Sequence, residues 1–258
     1  MYFSTMIQVV ILGAGNVAIQ LHKAFAKNAA IQVIQGYNRS YSTSLQKLSI
    51  AQTQQLDELK KADIYIVAVS DNAIADVTQA LPFDNQLVVH TSGSTPIQQI
   101  ASKNRQGVFY PLQTFTADTT VDFSTIPICL EVADQKDMVL LEQLATTIST
   151  KIYSLSSAQR NTLHVAAVFA NNFSNLMYIE AKKLCDTNQI PFEILHPLIL
   201  ETAAKIQTIE PITVQTGPAR RNDDKTIARH LNTLKDHKQQ ALYKLLTDTI
   251  QQHYGKEL

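Results

Sequence analysis

Short apolar runs alternate with amphipathic stretches over the first 153 residues. Six runs rich in Val and Ile predict buried strands, at residues 7–12, 31–36, 64–69, 86–90, 107–109 and 126–131. Residues 17–27 carry apolar side chains at helical spacing between the first two runs. Strands that alternate with helices in this way are typical of a parallel sheet with helices on both faces. Pro127 marks the sixth strand as an edge strand or an irregular one.

The pattern changes after about residue 153, where no further run has the character of a strand. Helices are predicted over 157–187, 191–209, 223–234 and 238–253, and a loop over 213–222. The sequence therefore predicts an α/β fold in two domains. Residues 1–153 form a doubly wound, mostly parallel sheet, and residues 154–258 form an all-α domain.

Composition and charge exclude several classes of protein. Of the 258 residues, 45% are hydrophobic, which is enough for a packed core. Lys and Arg number 22, as do Asp and Glu, so the net charge is zero. A neutral chain lacks the excess of basic residues that binds nucleic acids or anionic membranes, so neither is expected as a partner.

Cysteine and histidine patterns argue against disulfides and metals. The two cysteines, Cys129 and Cys185, are far apart, and the seven histidines include no HxxxH pair. No metal site is predicted. No apolar run approaches the roughly 20 residues of a membrane helix. The N-terminus lacks the basic start of a signal peptide, so a cytoplasmic protein is expected.

A glycine-rich turn follows the first strand directly. It has the pattern GxGxxA and reads Gly13, Ala14, Gly15, Asn16, Val17, Ala18. The first glycine permits a tight turn, the second lets the backbone approach a pyrophosphate, and the small third residue lets the helix pack on the strand. The diphosphate would accept hydrogen bonds from the N–H groups that open the helix. The alternative is a turn that only closes the sheet; its place in a βαβ unit favours nucleotide binding.

The end of the second strand indicates which nucleotide. An NAD site usually has an Asp or Glu here that binds the ribose 2′-hydroxyl. Between Ala18 and Leu56 there is none, and the strand is followed by Asn38, Arg39 and Ser40. A guanidinium suits a 2′-phosphate, so NADP is predicted as the cofactor. An ordinary polar loop is the alternative.

The next two strands end in short segments of mostly small or polar residues. In a doubly wound sheet, ligands bind at the carboxyl ends of the strands, so these residues are predicted to line the cofactor. They are Val69, Ser70, Asp71, Thr91, Ser92 and Gly93. A turn that caps the following helix explains the second group equally well.

Three further residues are candidates for the chemistry. His164 lies on a polar stripe of the long predicted helix, and histidine is the natural proton donor near neutral pH. Tyr110 follows the fifth strand and is the second candidate donor. Arg221 is a candidate clamp for a substrate carboxylate. The alternatives are a satisfied buried histidine, an aromatic packing turn, and a loop of ion-paired arginines and aspartates.

With these motifs, the chain resembles a bacterial family of Rossmann-like NADP oxidoreductases. Their N-terminal domain is that of deazaflavin-dependent NADP oxidoreductases, and their helical C-terminal domain has no known function. The resemblance runs nearly end to end. Its motifs are GAGNVA (13–18), YNRS (37–40), HTSGS (90–94), YPLQTF (110–115), HVAAVFANNF (164–173) and TGPARRNDDKTIARH (216–230).

The family is similar to pyrroline-5-carboxylate reductase and 6-phosphogluconate dehydrogenase. The resemblance implies a homodimer built through the helical domain and an active site between the domains. It implies functional roles for His164, Asn172 and Arg221. It also implies roles for Thr216, Gly217, Asp223 and Thr226. Hydride transfer between NADP and a small carbonyl or imine substrate is the expected reaction. A non-catalytic NADP sensor and a deazaflavin-linked NADP reductase are the alternatives.

The chain departs from its relatives at three positions. The family usually has Gly where this chain has Asn222, and often His where it has Tyr110. The β-hydroxyacid dehydrogenases carry a catalytic Lys four residues before an Asn of the long helix; here Val168 precedes Asn172. The chemistry of that Lys is therefore not carried over.

Overall fold

One mixed sheet organises the first part of the chain. The structure, a computed structural model, describes residues 6–116, 119 and 121–254; residues 1–5, on which the signal-peptide expectation partly rests, lie outside this range. The strand order is β3-β2-β1-β4-β5-β6-β7-β8, and all neighbours are parallel except β6 and β7. The strands are β1 (Ile7–Leu12), β2 (Ile31–Tyr37), β3 (Gln52–Thr53), β4 (Ile64–Val67), β5 (Leu87–His90), β6 (Arg105–Pro111), β7 (Ile128–Val132) and β8 (Ile152–Ser154). The predicted doubly wound, mostly parallel sheet is confirmed.

Helices connect the strands and then make up the rest of the chain. They are α1 (Asn16–Phe25), α2 (Thr43–Lys47), α3 (Ile74–Gln79), α4 (Met138–Thr146), α5 (Ser157–Ala167), α6 (Ser174–Thr187), α7 (His196–Lys205), α8 (Pro211–Val214), α9 (Asp224–Thr233) and α10 (His237–Tyr254). The long helix predicted over 157–187 is present, but a π-helical turn, Val168–Phe173, joins α5 to α6. Such turns are rare and are frequently found at functional sites.

Several predicted details were wrong. Pro127 lies just before β7, which pairs with strands on both sides, so this is not an edge strand. Strands β3 and β8 are only two and three residues long, too short to show an apolar period. The second predicted helix starts later, at His196, because Pro197 fits only in the first turn of a helix. The predicted loop 213–222 overlaps the short helix α8 at its start.

Both faces of the sheet are covered by apolar side chains. Val9 and Ile11 pack with Leu21 of α1 on one face, and Val10 and Leu12 pack in a second cluster on the other. Successive residues of a strand point to opposite faces, so β1 must be apolar throughout. This explains why the parallel strands appear in the sequence as continuous apolar runs.

The chain divides into two compact units, Met1–Val168 and Phe169–Leu258. The sequence places the domain boundary earlier, at 153/154, where the last strand ends. The first unit extends into α5 because the start of that helix is bonded to β7: Ser157 donates its N–H and its hydroxyl to Glu131. Among the described residues, no helix combines the length and apolar composition needed to cross a membrane.

Two buried histidines in the first unit predict a stability that falls with acidification. Burial lowers the pKa of His22 and of His90 from 6.5 to about 4. Between these values the unfolded chain binds protons that the folded chain does not, so stability is lost as the pH falls from 6.5 towards 4. Each histidine contributes at most about 1.4 kcal/mol per pH unit.

Denaturant unfolding at a series of pH values tests this expectation. Together, the two histidines should lower the free energy of unfolding as the pH falls from 6.5 to 5. His22→Leu should remove roughly half of this pH-dependent loss. His237→Leu, at an exposed histidine of α10, is the control for removing an imidazole from the surface. An unchanged slope in His22→Leu would contradict the assignment.

Candidate active site

The glycine turn between β1 and α1 has the geometry of a phosphate-binding turn. Gly13 has a φ of +122°, and a Cβ there would lie 2.8 Å from the carbonyl carbon of Ala68 and closer still to its oxygen. Only glycine fits. A Cβ on Gly15 would meet no atom within 4 Å, so this residue faces open space. Gly15 is also the N-cap of α1 and has no side chain that accepts from the first N–H groups of the helix. The turn therefore leaves donors and space for an anion.

A cleft of about 620 Å³ runs along the carboxyl ends of β1, β2 and β4. Ten predicted cofactor residues line it: Gly13, Ala14, Gly15, Asn16, Val17, Asn38, Arg39, Val69, Ser70 and Thr91. Seven further lining residues were not predicted: Tyr37, Leu56, Ala68, Ala73, Asp76, Val77 and Ala80. Three of these lie on or just after α3, and their signal in the sequence is the helix that follows the third predicted strand.

Four predicted cofactor residues do not line the cleft. The Ser40 carbonyl accepts a hydrogen bond from the Asn38 amide at 2.9 Å, and Asp71 accepts one from the Ser94 hydroxyl at 2.6 Å. Ser92 is buried, and its hydroxyl accepts from the N–H groups of the two residues that follow Gly93. Ser92 thus closes the turn itself, whereas the 3₁₀ turn that follows, Ile97–Gln99, begins after Pro96 without a side-chain cap, so the helix cap given as the alternative is not seen there. The contacts of these four residues with a cofactor stay predictions.

Tyr110 and His164 lie in contact within the first compact unit. The Tyr110 hydroxyl is 3.2 Å from His164 Nδ1, and the two rings meet edge to face with centroids 6.2 Å apart. Gly93 allows this arrangement, because a Cβ there would lie 2.6 Å from His164 Nδ1 and 2.7 Å from Tyr110 Cζ. Burial raises the pKa of Tyr110 to about 12, with Cys129 adding to the rise. The phenol therefore stays protonated at neutral pH and is available as a hydrogen-bond donor.

Comparison with known proteins places the chain in a family. Residues 8–93 match the family model described as NADP oxidoreductase, coenzyme F420-dependent, and residues 126–250 match the domain of unknown function DUF2520. BF3122 from Bacteroides fragilis, named provisionally as an NADP oxidoreductase, is 38% identical over 96% of this chain and 99% of its own, with a TM-score of 0.87. The chain belongs to this NADP oxidoreductase family. A comparison with curated proteins finds no match.

More distant structures share the fold of this NADP oxidoreductase family. Pyrroline-5-carboxylate reductase from Streptococcus pyogenes is 16% identical over 96% of this chain and 98% of its own, with a TM-score of 0.64. The reductive aminase from Aspergillus terreus, solved with NADPH and ethyl-5-oxohexanoate, is 13% identical over 98% of this chain and 95% of its own, with a TM-score of 0.70. The expected relationship to pyrroline-5-carboxylate reductase is thus seen in the fold.

The other two candidate catalytic residues of this family member belong to the second unit. Asn172 is exposed and lies in the π-helical turn, and Arg221 is exposed in the loop before α9. Arg220 is the arginine that anchors this loop: it donates to the Gln215 carbonyl at 2.8 Å and lies 4.7 Å from the Tyr254 ring centroid. Within the described part of the chain neither arginine forms a salt bridge, so the ion-paired alternative is not seen. Roles for Asn172 and Arg221 stay predictions.

The loop also explains one departure from the family pattern. Asn222 has a φ of +54°, in the left-handed region where glycine is most stable and Asn is the next most tolerated residue. Asp223 then caps α9, accepting from the Thr226 N–H at 3.1 Å. Among the described residues, no three His, Cys, Asp or Glu side chains are grouped to bind a metal ion.

Proposed function

We propose that the chain is an NADP-dependent oxidoreductase that transfers hydride between nicotinamide and a small carbonyl or imine substrate. One observation carries the proposal: a single cleft joins the open N-terminus of α1 to Arg39 at the end of β2. A dinucleotide with a 2′-phosphate needs both, an amide donor set for its diphosphate and a cation for its extra phosphate.

The residues of the cleft fit this cofactor. The helix N-terminus and Gly15 would hold the diphosphate, and Arg39 with Asn38 would hold the 2′-phosphate. The apolar side chains of Leu56 and Val77 suit the adenine ring. The cleft volume of about 620 Å³ lies within the range of ligand pockets. When bound, NADPH supplies the hydride.

The chain itself must then supply a proton. Reduction of a carbonyl or imine leaves a basic oxygen or nitrogen that needs one. We assign the donation to His164 as the imidazolium, which gives its Nε2 proton to the product and becomes neutral. Its Nδ1–H then donates to the Tyr110 hydroxyl oxygen, and this contact holds the ring. Arg221 is assigned to a substrate carboxylate and Asn172 to substrate binding, from the family resemblance.

Removing the donor should slow turnover without weakening NADPH binding. His164→Ala should lower kcat by about 100-fold, in the range typical of a lost general acid. Tyr110→Phe should cost less, about tenfold, since it removes only the contact that orients the ring. The loss of NADPH absorbance with a panel of ketones, keto acids and preformed imines measures both effects. His237→Ala, at an exposed histidine, is the matched control; full activity of His164→Ala would refute the assignment.

Two alternative functions separate in the same assay. A non-catalytic NADP sensor would bind NADPH and oxidise it with no member of the panel. A deazaflavin-linked reductase would oxidise NADPH only when coenzyme F420 is added.

We also propose that the protein is a homodimer, as the family resemblance implies. Among the described residues of the second unit, the buried apolar side chains are only Cys185, Ala219 and Leu234. Large apolar residues of the same unit are exposed, among them Ile194, Leu198, Leu200 and Leu245. Apolar exposure of this extent is typical of an interaction surface.

A charged residue placed in that surface should separate the subunits. Leu200 is 72% exposed, and Leu200→Glu should convert the dimer to a monomer in light scattering after gel filtration. Val139, 61% exposed on α4 of the first unit, gives the control Val139→Glu, which should stay dimeric. A monomeric wild-type protein would contradict the proposal.

A further inference from the structure

Among the described residues, Arg160 is the largest fully buried side chain. It is 1% exposed and lies on α5, one helical turn before His164. A buried guanidinium is stable only where its donors are bonded and its charge is paired. Its contacts therefore show which parts of the structure it connects.

The guanidinium joins three elements. Nε donates to the Ser92 carbonyl at 3.1 Å, Nη2 donates to the Thr95 carbonyl, and Nη1 pairs with Glu131 Oε2 at 2.6 Å. Glu131 also accepts from the Ser157 N–H at 2.8 Å. The turn after β5, strand β7 and helix α5 are thus connected through one side chain.

The connected turn forms one wall of the Tyr110–His164 contact. Gly93 lies between the two carbonyls that Arg160 binds. The space that a Cβ of Gly93 would occupy is bounded by the His164 ring and the Tyr110 hydroxyl. A movement of this turn relative to α5 would therefore change the approach of the hydroxyl to Nδ1.

We propose that Arg160, with Glu131, is a positioning residue that holds residues 92–95 against α5 and so keeps the Tyr110 hydroxyl within hydrogen-bond distance of His164 Nδ1. The catalytic consequence rests on the proposed function, because proton donation is assigned to this pair. The positioning itself is a property of the first unit and is measurable without any substrate or cofactor.

The ring nitrogens of His164 report the contact directly. In protein labelled with ¹⁵N-histidine, the His164 resonance is assigned by its absence in His164→Ala. Tyr110→Phe should move this resonance in the wild-type background, because Nδ1 loses its hydrogen-bond partner. In an Arg160→Lys background the same substitution should move it by less than half as much. Lysine keeps the charge but cannot reach two carbonyls and a carboxylate at once.

A second variant covers the case in which Arg160→Lys does not fold. Arg160→Met with Glu131→Gln leaves no unpaired buried charge and keeps an acceptor for Ser157, so that only the two carbonyls lose their donor. It should show the same loss of response. Lys182→Met, which breaks the exposed Lys182–Asp186 pair on α6, is the control and should keep the full response.

The outcomes separate this inference from the proposed function. A folded Arg160 variant in which Tyr110→Phe still moves the His164 resonance fully would overturn the positioning role, as would a wild-type resonance that Tyr110→Phe leaves in place. Wild-type protein that binds no NADPH would overturn the proposed function only. Arg160 does not line the cleft, so its variants should bind NADPH as the wild type does.

Discussion

Gly13→Ala should raise the Kd for NADPH by at least about 100-fold and also lower the free energy of unfolding by about 1–3 kcal/mol. Both effects have one cause. The new Cβ would collide with the Ala68 carbonyl, and the positive φ of Gly13 is strained for alanine. The turn must move to relieve the collision, and the amides that would bind the diphosphate move with it. Calorimetry for binding and urea unfolding for stability measure the two effects.

Gly15→Ala is the matched variant that separates binding from stability. Its Cβ meets no protein atom within 4 Å, so the fold should tolerate it with a change in unfolding free energy of at most about 0.5 kcal/mol. The methyl group would nevertheless stand where the diphosphate approaches the backbone, so NADPH binding should still weaken at least tenfold. Wild-type affinity in Gly15→Ala would place the diphosphate somewhere other than this turn.

Arg39→Ala should weaken NADPH binding by about 30- to 100-fold, the loss expected for charge-assisted hydrogen bonds worth about 2–3 kcal/mol. The Kd for NADH should change less than about threefold, because NADH carries no 2′-phosphate for the guanidinium to bind. The preference between the two cofactors should therefore disappear. Fluorescence titration of each cofactor at fixed ionic strength gives the two constants.

The control for Arg39 is another exposed cation outside the cleft. Lys47, in the last turn of α2, is suitable, and Lys47→Ala should leave both constants unchanged. If Arg39→Ala weakened NADPH and NADH equally, Arg39 would contribute to the fold of the cleft and not to selection of the phosphate.

The sequence predicts those features of the site that are formed by residues adjacent in the chain. The glycine turn is recognisable because strand, turn and helix follow one another within one short segment, and each glycine has a local steric reason. Strands β1, β4 and β5 appear as apolar runs because most of their residues are buried on both faces of the sheet. Strands β3 and β8 were missed because two or three residues carry no measurable period.

Contacts between residues that lie far apart in the sequence could not be predicted from it. Tyr110 and His164 were each candidates, but their contact spans 54 residues and depends on how β6 and α5 pack. Gly93 was predicted to approach the cofactor, whereas the structure places it against this pair. Arg160 carried no signal, since a lone arginine in an amphipathic helix is indistinguishable from a solvated one until its partners at Ser92, Thr95 and Glu131 are known.

The most direct test of the account is calorimetric titration of the wild-type protein with NADPH and, in parallel, with NADH. We expect one NADPH to bind per chain and NADH to bind at least about tenfold more weakly, as the contribution of one guanidinium–phosphate contact requires. No binding of either cofactor, or tighter binding of NADH, would contradict it.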